Sequence, residues 1–374
     1  MNHKYLKYLK NKSVSNLWSF NTPPKKGKYD IVITIPCYNE YAYIFKTLNS
    51  ISKQHSTLLN KTLVVIVINN AKNDDKEIKK NNDSTYNKLM LSKYDFDISI
   101  VDCYLKSKAL PEKTAGVGMA RKIACDMSLN YMKPNSLFCF IDADTKISDD
   151  YLTQINQSYK KYNWNAATVM FKHQNDEPKT DKIIQEYESF LVSTSNLLEH
   201  SGSPYNYIPI GSSMICNMKS YVSIGGMNTR KAAEDFYFLQ ELQKVFGVFK
   251  IKQILIYPSS RFTTRVYLGT SSRLLKCING ELKIKSLYYT KRAFEILKEW
   301  LTLALNSQSK PYLEITMKCN LIDEKLIKFL EQYNFNNAWD AINESPTSKH
   351  FEQQFHRWFD AFKTFKLLKY YSND

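Results

Sequence analysis

The chain has 374 residues, 43% of them hydrophobic, and carries 52 lysine and arginine residues against 36 acidic ones, for a formal net charge of +16. This length and apolar content predict a globular protein with one sizeable domain and an appendage. No stretch approaches the roughly 20 apolar residues of a membrane span, which excludes a spanning helix. The charge suits polyanionic partners, namely nucleotides, anionic lipid headgroups or nucleic acid. A compositional bias toward Lys, Asn, Ile and Tyr is the alternative source of part of the excess.

The cysteines and the N-terminus bear on the compartment. Seven cysteines are scattered without a C-x-x-C pair. Four of them lie in or beside apolar, strand-like runs: Cys37, Cys103, Cys139 and Cys216. This pattern predicts buried thiols in a reducing compartment rather than a disulfide or zinc framework. Residues 1–28 form a basic arm without the apolar core of a signal peptide. We expect a cytoplasmic protein, with peripheral contact at the inner face of the membrane as an open alternative.

Strand and helix patterns alternate over the first half of the chain. Short apolar runs predict strands over 29–35, 63–68, 98–101 and 137–141. Helices are predicted after Asn39 as an N-cap, over 75–91, and from the glycine-rich segment near 116. This alternation is typical of βαβ units and a parallel sheet.

The second half begins with helix 150–162, strand 166–171 and helix 182–199, followed by a predicted strand over 207–216 that crosses the site. A helix over 233–246 and a strand over 248–257 come next, and the chain is helical from about 275. The last predicted helix, 351–371, places five aromatic residues at helical spacing: Phe351, Phe355, Trp358, Phe359 and Phe362. We expect this stripe to be core that docks onto the preceding α/β domain. The alternative is a basic, aromatic helix that lies at a membrane surface.

Two carboxylates, Asp142 and Asp144, follow the apolar run 137–141. Ligands of open α/β sheets bind outside the carboxyl ends of the strands, and alternate residues of an extended chain point the same way. Carboxylate oxygens suit Mg²⁺ or Mn²⁺, which complete their shells with substrate phosphates. An ordinary acidic turn is the alternative.

Five features stand in order along the chain: Pro-Cys-Tyr-Asn-Glu at 36–40, Asn-Asn at 69–70, Gly-x-Gly-x-Ala-Arg at 116–121, Asp-x-Asp at 142–144, and Gly-Gly-Met followed by Glu-Asp between 225 and 235. Together they resemble the motifs of the family-2 nucleotide-sugar glycosyltransferases of the GT-A fold. The resemblance covers residues 29 to 265. It implies a nucleotide-diphosphate sugar donor, Mn²⁺ or Mg²⁺ as cofactor, and inversion at the anomeric carbon, although a retaining enzyme can share the scaffold.

The resemblance also assigns the donor site. It implies donor binding by the following residues: Pro36, Asn39, Glu40, Asn69, Gly116, Gly118, Arg121, Asp142, Arg261 and Arg265. Asp144 is the implied direct metal ligand, with Asp142 near the ribose and metal. Asn69 stands where the family usually has an aspartate, which leaves the identity of the base open because an amide donates as well as accepts. For Gly116 and Gly118, tight helix packing is the alternative to an anion site.

The acidic pair Glu234 and Asp235 matches the family position of the catalytic base. We expect Asp235 to be the base and Glu234 the supporting acid, with the reverse order open. The alternative is that both are merely acids favoured by a helix N-terminus. Tyr207, Gly211 and Ser212 precede the pair where family members contact the acceptor.

The sequence thus predicts an α/β fold of the GT-A-like, Rossmann type: a mixed, mostly parallel sheet flanked by helices, with a helical C-terminal appendage. Its predicted parts are the arm 1–28, the catalytic domain 29–270 and the helical region 271–374. The predicted activity is that of a metal-dependent, hexosyltransferase-type enzyme acting on a hydroxyl of a surface glycan or its lipid-linked precursor. A basic nucleic-acid-binding protein and a non-catalytic nucleotide-sugar-binding protein are the alternatives. The nucleic-acid alternative leaves the carboxylates at the strand ends unexplained.

Overall fold

The structure is a computed structural model that describes residues 2–105, 107–175, 178–261 and 270–373. Its internal contacts divide the chain into two units. The first comprises Met1–Ile184, Pro209–Leu242 and Val248–Leu275, and the second comprises Gln185–Ile208, Gln243–Gly247 and Lys276–Asp374. The three-part division at residues 28 and 270 stays a prediction.

The first unit is built on one sheet. The strands in the described residues are β1 (Tyr29–Cys37), β2 (Thr62–Asn69), β3 (Asp97–Cys103), β4 (Met132–Phe140), β5 (Lys146–Ile147), β6 (Ala166–Phe171), β7 (Met214–Asn217) and β8 (Phe249–Tyr257). They lie in the order β3-β2-β1-β4-β7-β6-β8-β5. Strands β1 to β4 pair in parallel, whereas β7 is antiparallel to its neighbours β4 and β6. Strand β8 is parallel to β6 and antiparallel to β5. The mixed, mostly parallel sheet of the predicted GT-A-like class is therefore confirmed.

Burial explains why the first strands were predicted well. Every residue of β2 is buried, as expected for a central parallel strand covered on both faces. Cys37 near the end of β1 pairs with Ile68 near the end of β2, so these two parallel strands end at the same edge of the sheet. Pairing of Thr34 with Phe140 brings the end of β4 to that edge too.

Helices flank the sheet and make up most of the second unit. They are α1 (Asn2–Asn11), α2 (Ile44–Ser52), α3 (Ser56–Leu59), α4 (Lys76–Leu91), α5 (Val117–Ser128), α6 (Tyr151–Tyr162), α7 (Pro178–His200), α8 (Met218–Ser223), α9 (Glu234–Phe246), α10 (Thr270–Ile278), α11 (Lys291–Leu305), α12 (Tyr312–Ile322), α13 (Glu324–Glu331), α14 (Phe335–Asn343), α15 (Ser348–Trp358) and α16 (Ala361–Tyr370). None of the helices in the described part of the chain combines the length and the apolar character that a membrane crossing needs.

Three local predictions were wrong, and two of them concern predicted site residues. Asn39 is not the N-cap of α2, because Tyr43 takes that place and Asn39 adopts a left-handed φ of 59°. The predicted strand over 207–216 is reduced to β7, and residues Gly211–Ser213 form a short 3-10 turn before it. This turn directs Ser212 to Asp142, from which its hydroxyl oxygen lies 2.7 Å.

The predicted helix 351–371 is two helices, α15 and α16, because Asp360 caps a new helix by accepting from the N–H of Lys363. Phe351, Phe355 and Phe359 are buried in the core of the second unit. Phe355 and Phe359 lie edge-on to Trp300 of α11, at centroid distances of 5.7 and 5.9 Å. The prediction that these three residues are core is confirmed, and the predicted docking of the stripe onto the catalytic domain stays a prediction.

The predicted burial of four thiols is confirmed, since Cys37, Cys103, Cys139 and Cys216 are all buried. Burial raises the pKa of Cys139 to about 12, which keeps this thiol protonated and inert.

Candidate functional site

Arg121 is the centre of a buried group of charges at the carboxyl edge of the sheet. It is the fifth residue of α5, and 1% of its surface is exposed. Its Nη2 donates to Asp142, which follows β4, and its Nη1 donates to Glu234 at the start of α9. A Cβ on Gly211 would lie 2.1 Å from Nη2, so only glycine leaves room for the guanidinium. The structure thus brings together three sequence features that are far apart along the chain.

The acidic pair differs in exposure. Glu234 is buried, whereas Asp235 is partly exposed and its Oδ1 accepts from the N–H of Phe236 at 2.7 Å. Burial and the charge of Asp235 raise the pKa of Glu234 to about 8, although Arg121 opposes the shift. Burial also raises the pKa of Asp235, again against Arg121. Three carboxylates share one guanidinium here, so the group has a surplus of negative charge.

The turn that carries Asp142 and Asp144 is held by hydrogen bonds from three elements. Ser212 Oγ donates to Asp142 Oδ2 at 2.7 Å. Thr47 of α2 donates to the carbonyl of Ala143 at 2.8 Å. Gln174, just after β6, donates to the carbonyls of Asp144 and Tyr257 at 2.9 and 2.7 Å. Such support is what a preorganised site requires. The sequence patterns did not single out Thr47 or Gln174.

Arg261 forms a second ionic group with two carboxylates. Its Nε and Nη2 donate to Asp144 Oδ2 at 2.8 and 2.7 Å, and Nη2 also donates to Glu40 Oε1. The guanidinium lies 4.0 Å from the centre of the Tyr43 ring. Glu40, after β1, and Asp144, after β4, therefore converge on one cationic nitrogen.

These carboxylates fit a divalent metal ion by their donor chemistry. Oxygens of Glu40 and Asp144 already meet at one cation, and carboxylates are hard ligands suited to Mg²⁺ or Mn²⁺. No group of three or more His, Cys, Asp or Glu side chains suited to a metal occurs in the described ranges. Magnesium sites commonly use one or two carboxylates and complete the shell with substrate phosphates.

A network of asparagines lies beside this edge. Asn82 of α4 is fully buried, accepts from the N–H of Asn39 at 3.0 Å and donates to the carbonyl of Asn69 at 3.1 Å. It also donates to Asn70 Oδ1 at 3.0 Å. Asn69 Oδ1 is buried, and no donor among the described residues reaches it. Asn82 lies inside the Lys- and Asn-rich stretch 72–88, whose composition hid it from sequence reasoning.

The two glycines at the start of α5 pack against a loop. A Cβ on Gly118 would lie 2.5 Å from the carbonyl oxygen of Arg230, and one on Gly116 would lie 2.8 Å from Cα of Lys231. Close packing, the alternative to an anion site, is what the geometry shows at both positions. Their part in donor binding stays a prediction.

The remaining predicted residues are Pro36, Tyr207 and Arg265. Pro36 is within β1, paired with Val67 of β2. Tyr207 belongs to the second unit. Arg265 lies outside the described residues.

Comparison with known proteins gave no match to a family model and none to a curated protein. Among solved structures, the chain is similar to residues 1–349 of S. aureus TarS in complex with UDP-GlcNAc, with 15% identity over 88% of this chain and 92% of that one and a TM-score of 0.46. It is similar to S. aureus TarS over 91% of this chain and 55% of that one, at 15% identity and a TM-score of 0.42. It is also similar to the mannosyltransferase PcManGT from Pyrobaculum calidifontis in complex with GDP-Man and Mn²⁺, with 12% identity over 99% of this chain and 92% of that one and a TM-score of 0.41.

Proposed function

We propose that the protein is a metal-dependent glycosyltransferase that moves a sugar from a nucleotide-diphosphate sugar to a hydroxyl acceptor, with inversion. The observation that carries this proposal is the double ion pair of Arg121 with Asp142 and Glu234. It joins the carboxylates at the strand ends, which suit the binding of a sugar donor, to an acidic pair that can supply the general base. The acceptor is a hydroxyl of a surface glycan or of its lipid-linked precursor.

The asparagines support a nucleotide at this edge. A buried acceptor without a donor is costly, so a rotation of the Asn69 side chain that turned Oδ1 toward the N–H of a bound base would satisfy this oxygen. Uracil and guanine both carry such a donor at their pairing edge. Asn82 holds the backbone of Asn69 itself and the backbone of Asn39 by hydrogen bonds.

Within the acidic pair, Asp235 is the better base. Glu234 is bound by Arg121 and buried, whereas Asp235 is partly exposed and reachable by an acceptor. As the acceptor oxygen attacks, Asp235 takes its proton. Arg121 keeps Glu234 and Asp142 in place beside it. A divalent ion at Asp144, with Glu40 or Asp142, would supply positive charge to the departing diphosphate.

The test is release of nucleoside diphosphate from a panel of nucleotide-sugars, with Mn²⁺, by the wild type and by Asp235→Asn. We expect release from one donor class and a loss of about 10²-fold or more in the variant. Binding without release in the wild type would instead support the non-catalytic alternative. Salt-dependent retention on RNA or DNA, unchanged in Asp144→Ala and without nucleotide binding, would support the nucleic-acid alternative.

A further inference from the structure

The N-terminal helix α1 places one tyrosine inside the first unit. Tyr8 is 3% exposed, and its hydroxyl donates to Asp126 Oδ1 at 2.6 Å and accepts from Lys122 Nζ at 2.8 Å. Lys122 and Asp126 both belong to α5. The N-terminal segment is therefore tied by a buried side chain to the helix that carries Arg121.

Asp126 is the hub of this network. It also accepts from the hydroxyl of Tyr221 at 2.9 Å and from the N–H of Val14 at 2.9 Å, and it pairs with Lys122 at 3.1 Å. Both charged residues are almost fully buried. An ion pair can be buried at low cost only when the remaining polar atoms of both groups are hydrogen-bonded. The network therefore favours a single arrangement of these side chains.

The Tyr8 hydroxyl also touches the segment that leads to the acidic pair. A Cβ on Gly226 would lie 2.1 Å from it, and Gly226 has a left-handed φ of 77°. This turn follows α8 and precedes Glu234 by eight residues. One hydroxyl group thus lies between the helix that holds Arg121 and the turn that leads to Glu234.

We propose that Tyr8 is a positioning residue of the active site, whose hydroxyl fixes α5 against the Gly226 turn and so holds Arg121 in line with Glu234. This inference rests on the proposed function. It makes the N-terminal helix an integral part of the catalytic unit rather than an arm ahead of it. The hydroxyl acts through Lys122 and Asp126 and does not itself contact the ion pair of Arg121.

Small displacements explain why this would affect catalysis. A shift of about 1 Å away from the reacting groups can cost 10²-fold in rate. Replacing Tyr8 by phenylalanine keeps the ring, which lies 5.1 Å from Lys122 Nζ and 5.9 Å from the Tyr221 ring. It removes only the oxygen that joins Asp126, Lys122 and the Gly226 turn.

The experiment compares Tyr8→Phe with Tyr5→Phe. Tyr5 lies on the same helix, and its hydroxyl donates to Asn130 at 3.0 Å in an exposed position. With the donor found for the wild type, we expect Tyr8→Phe to lower kcat about tenfold or more with the donor KM within about twofold. Tyr5→Phe should keep the kcat of the wild type. Thermal unfolding of both variants separates this effect from a loss of folded protein.

A second measurement does not depend on activity. In protein labelled at arginine with ¹⁵N, a fixed Arg121 guanidinium gives separate Nη resonances, and we expect Tyr8→Phe to average them while Tyr5→Phe does not. If Tyr8→Phe does not fold, Lys122→Met tests the same network, because it removes the group that donates to Tyr8.

The outcomes separate the two proposals. Wild-type kcat together with unchanged Arg121 resonances in folded Tyr8→Phe would overturn the positioning role. A wild type that neither binds nor cleaves any nucleotide-sugar would instead overturn the proposed function.

Discussion

Arg121 of α5 and Glu234 of α9 form a buried ion pair, although 113 positions separate them in the sequence. The same guanidinium binds Asp142, so one arginine joins the strand-end acids to the acidic pair. Arg121 and Glu234 are buried, so each depends on its charged partners, whereas the Asp142 side chain is 35% exposed. This dependence leads to the predictions below.

Removal of Arg121 should strongly destabilise the fold. Arg121→Met leaves Glu234 and Asp142 without their cation, and breaking a buried pair in this way costs about 3–5 kcal/mol. Arg292→Met is the matched control, because that arginine is half exposed and its pairs with Glu299 and Asp323 contribute about 1 kcal/mol or less. Urea unfolding at pH 9, where Glu234 with its pKa of about 8 is ionised, measures both variants. Equal losses in the two variants would contradict the central role of Arg121.

The stability of the protein should fall as the pH rises from about 4.5 to about 8. Glu234 has an ordinary pKa of 4.5 when unfolded and a pKa of about 8 when folded. The folded state therefore binds more protons than the unfolded state across this window, and the free energy of unfolding decreases with pH. The charges facing Glu234 are those of Arg121, Asp235 and Asp142.

Glu234→Gln should flatten this pH dependence, because the amide does not titrate. Urea unfolding between pH 5 and pH 9, in EDTA, measures the slope for both proteins. Asp235 remains in the variant and its raised pKa contributes with the same sign, so a smaller slope should persist. Identical slopes would refute the assignment to Glu234.

Replacement of Asn69 should weaken nucleotide binding without destabilising the ligand-free protein. Asn69→Leu removes a buried oxygen that no described donor reaches, so the ligand-free protein should keep its stability or gain up to about 1 kcal/mol. The loss of one hydrogen bond should weaken nucleotide binding about tenfold. Thermal shift without ligand and calorimetric titration with nucleoside diphosphates measure the two effects. Unchanged affinity would exclude Asn69 from the base site.

Arg261 should compete with a divalent ion. It holds Asp144 and Glu40, so Arg261→Gln should strengthen Mn²⁺ binding in the absence of donor. Asp144→Asn should weaken it in both backgrounds. Electron paramagnetic resonance of free Mn²⁺ during titration measures this directly. Weaker Mn²⁺ binding in Arg261→Gln would show that the arginine assists the ion instead.

Local patterns predicted the elements of the sheet well. Strands β1, β2 and β6 are apolar runs that can be recognised in the sequence without knowledge of their neighbours. Their predicted positions agree with the structure to within two residues. The break between α15 and α16 was missed because the aromatic spacing continues across it. The capping residue Asp360 was the signal that could have located the break.

Tertiary pairing could not be predicted in the same way. Nothing in the local sequence says that Arg121 binds Glu234, that Arg261 binds Asp144, or that Gly211 is small because Arg121 lies against it. Asn82 was hidden for a related reason, since a buried asparagine and a solvated one look alike in a polar helix. The family resemblance named most site residues but none of these contacts.

The most direct test of the account is calorimetric titration of nucleotide-sugars, with Mn²⁺, into the wild type, Asp144→Asn and Asp235→Asn. We predict that the wild type binds one donor class and that Asp144→Asn binds it at least about tenfold more weakly, because a carboxylate facing the metal and diphosphate is lost. Asp235→Asn should bind the donor like the wild type and fail to transfer the sugar. Equal binding by the wild type and Asp144→Asn, or no binding by the wild type, would contradict the account.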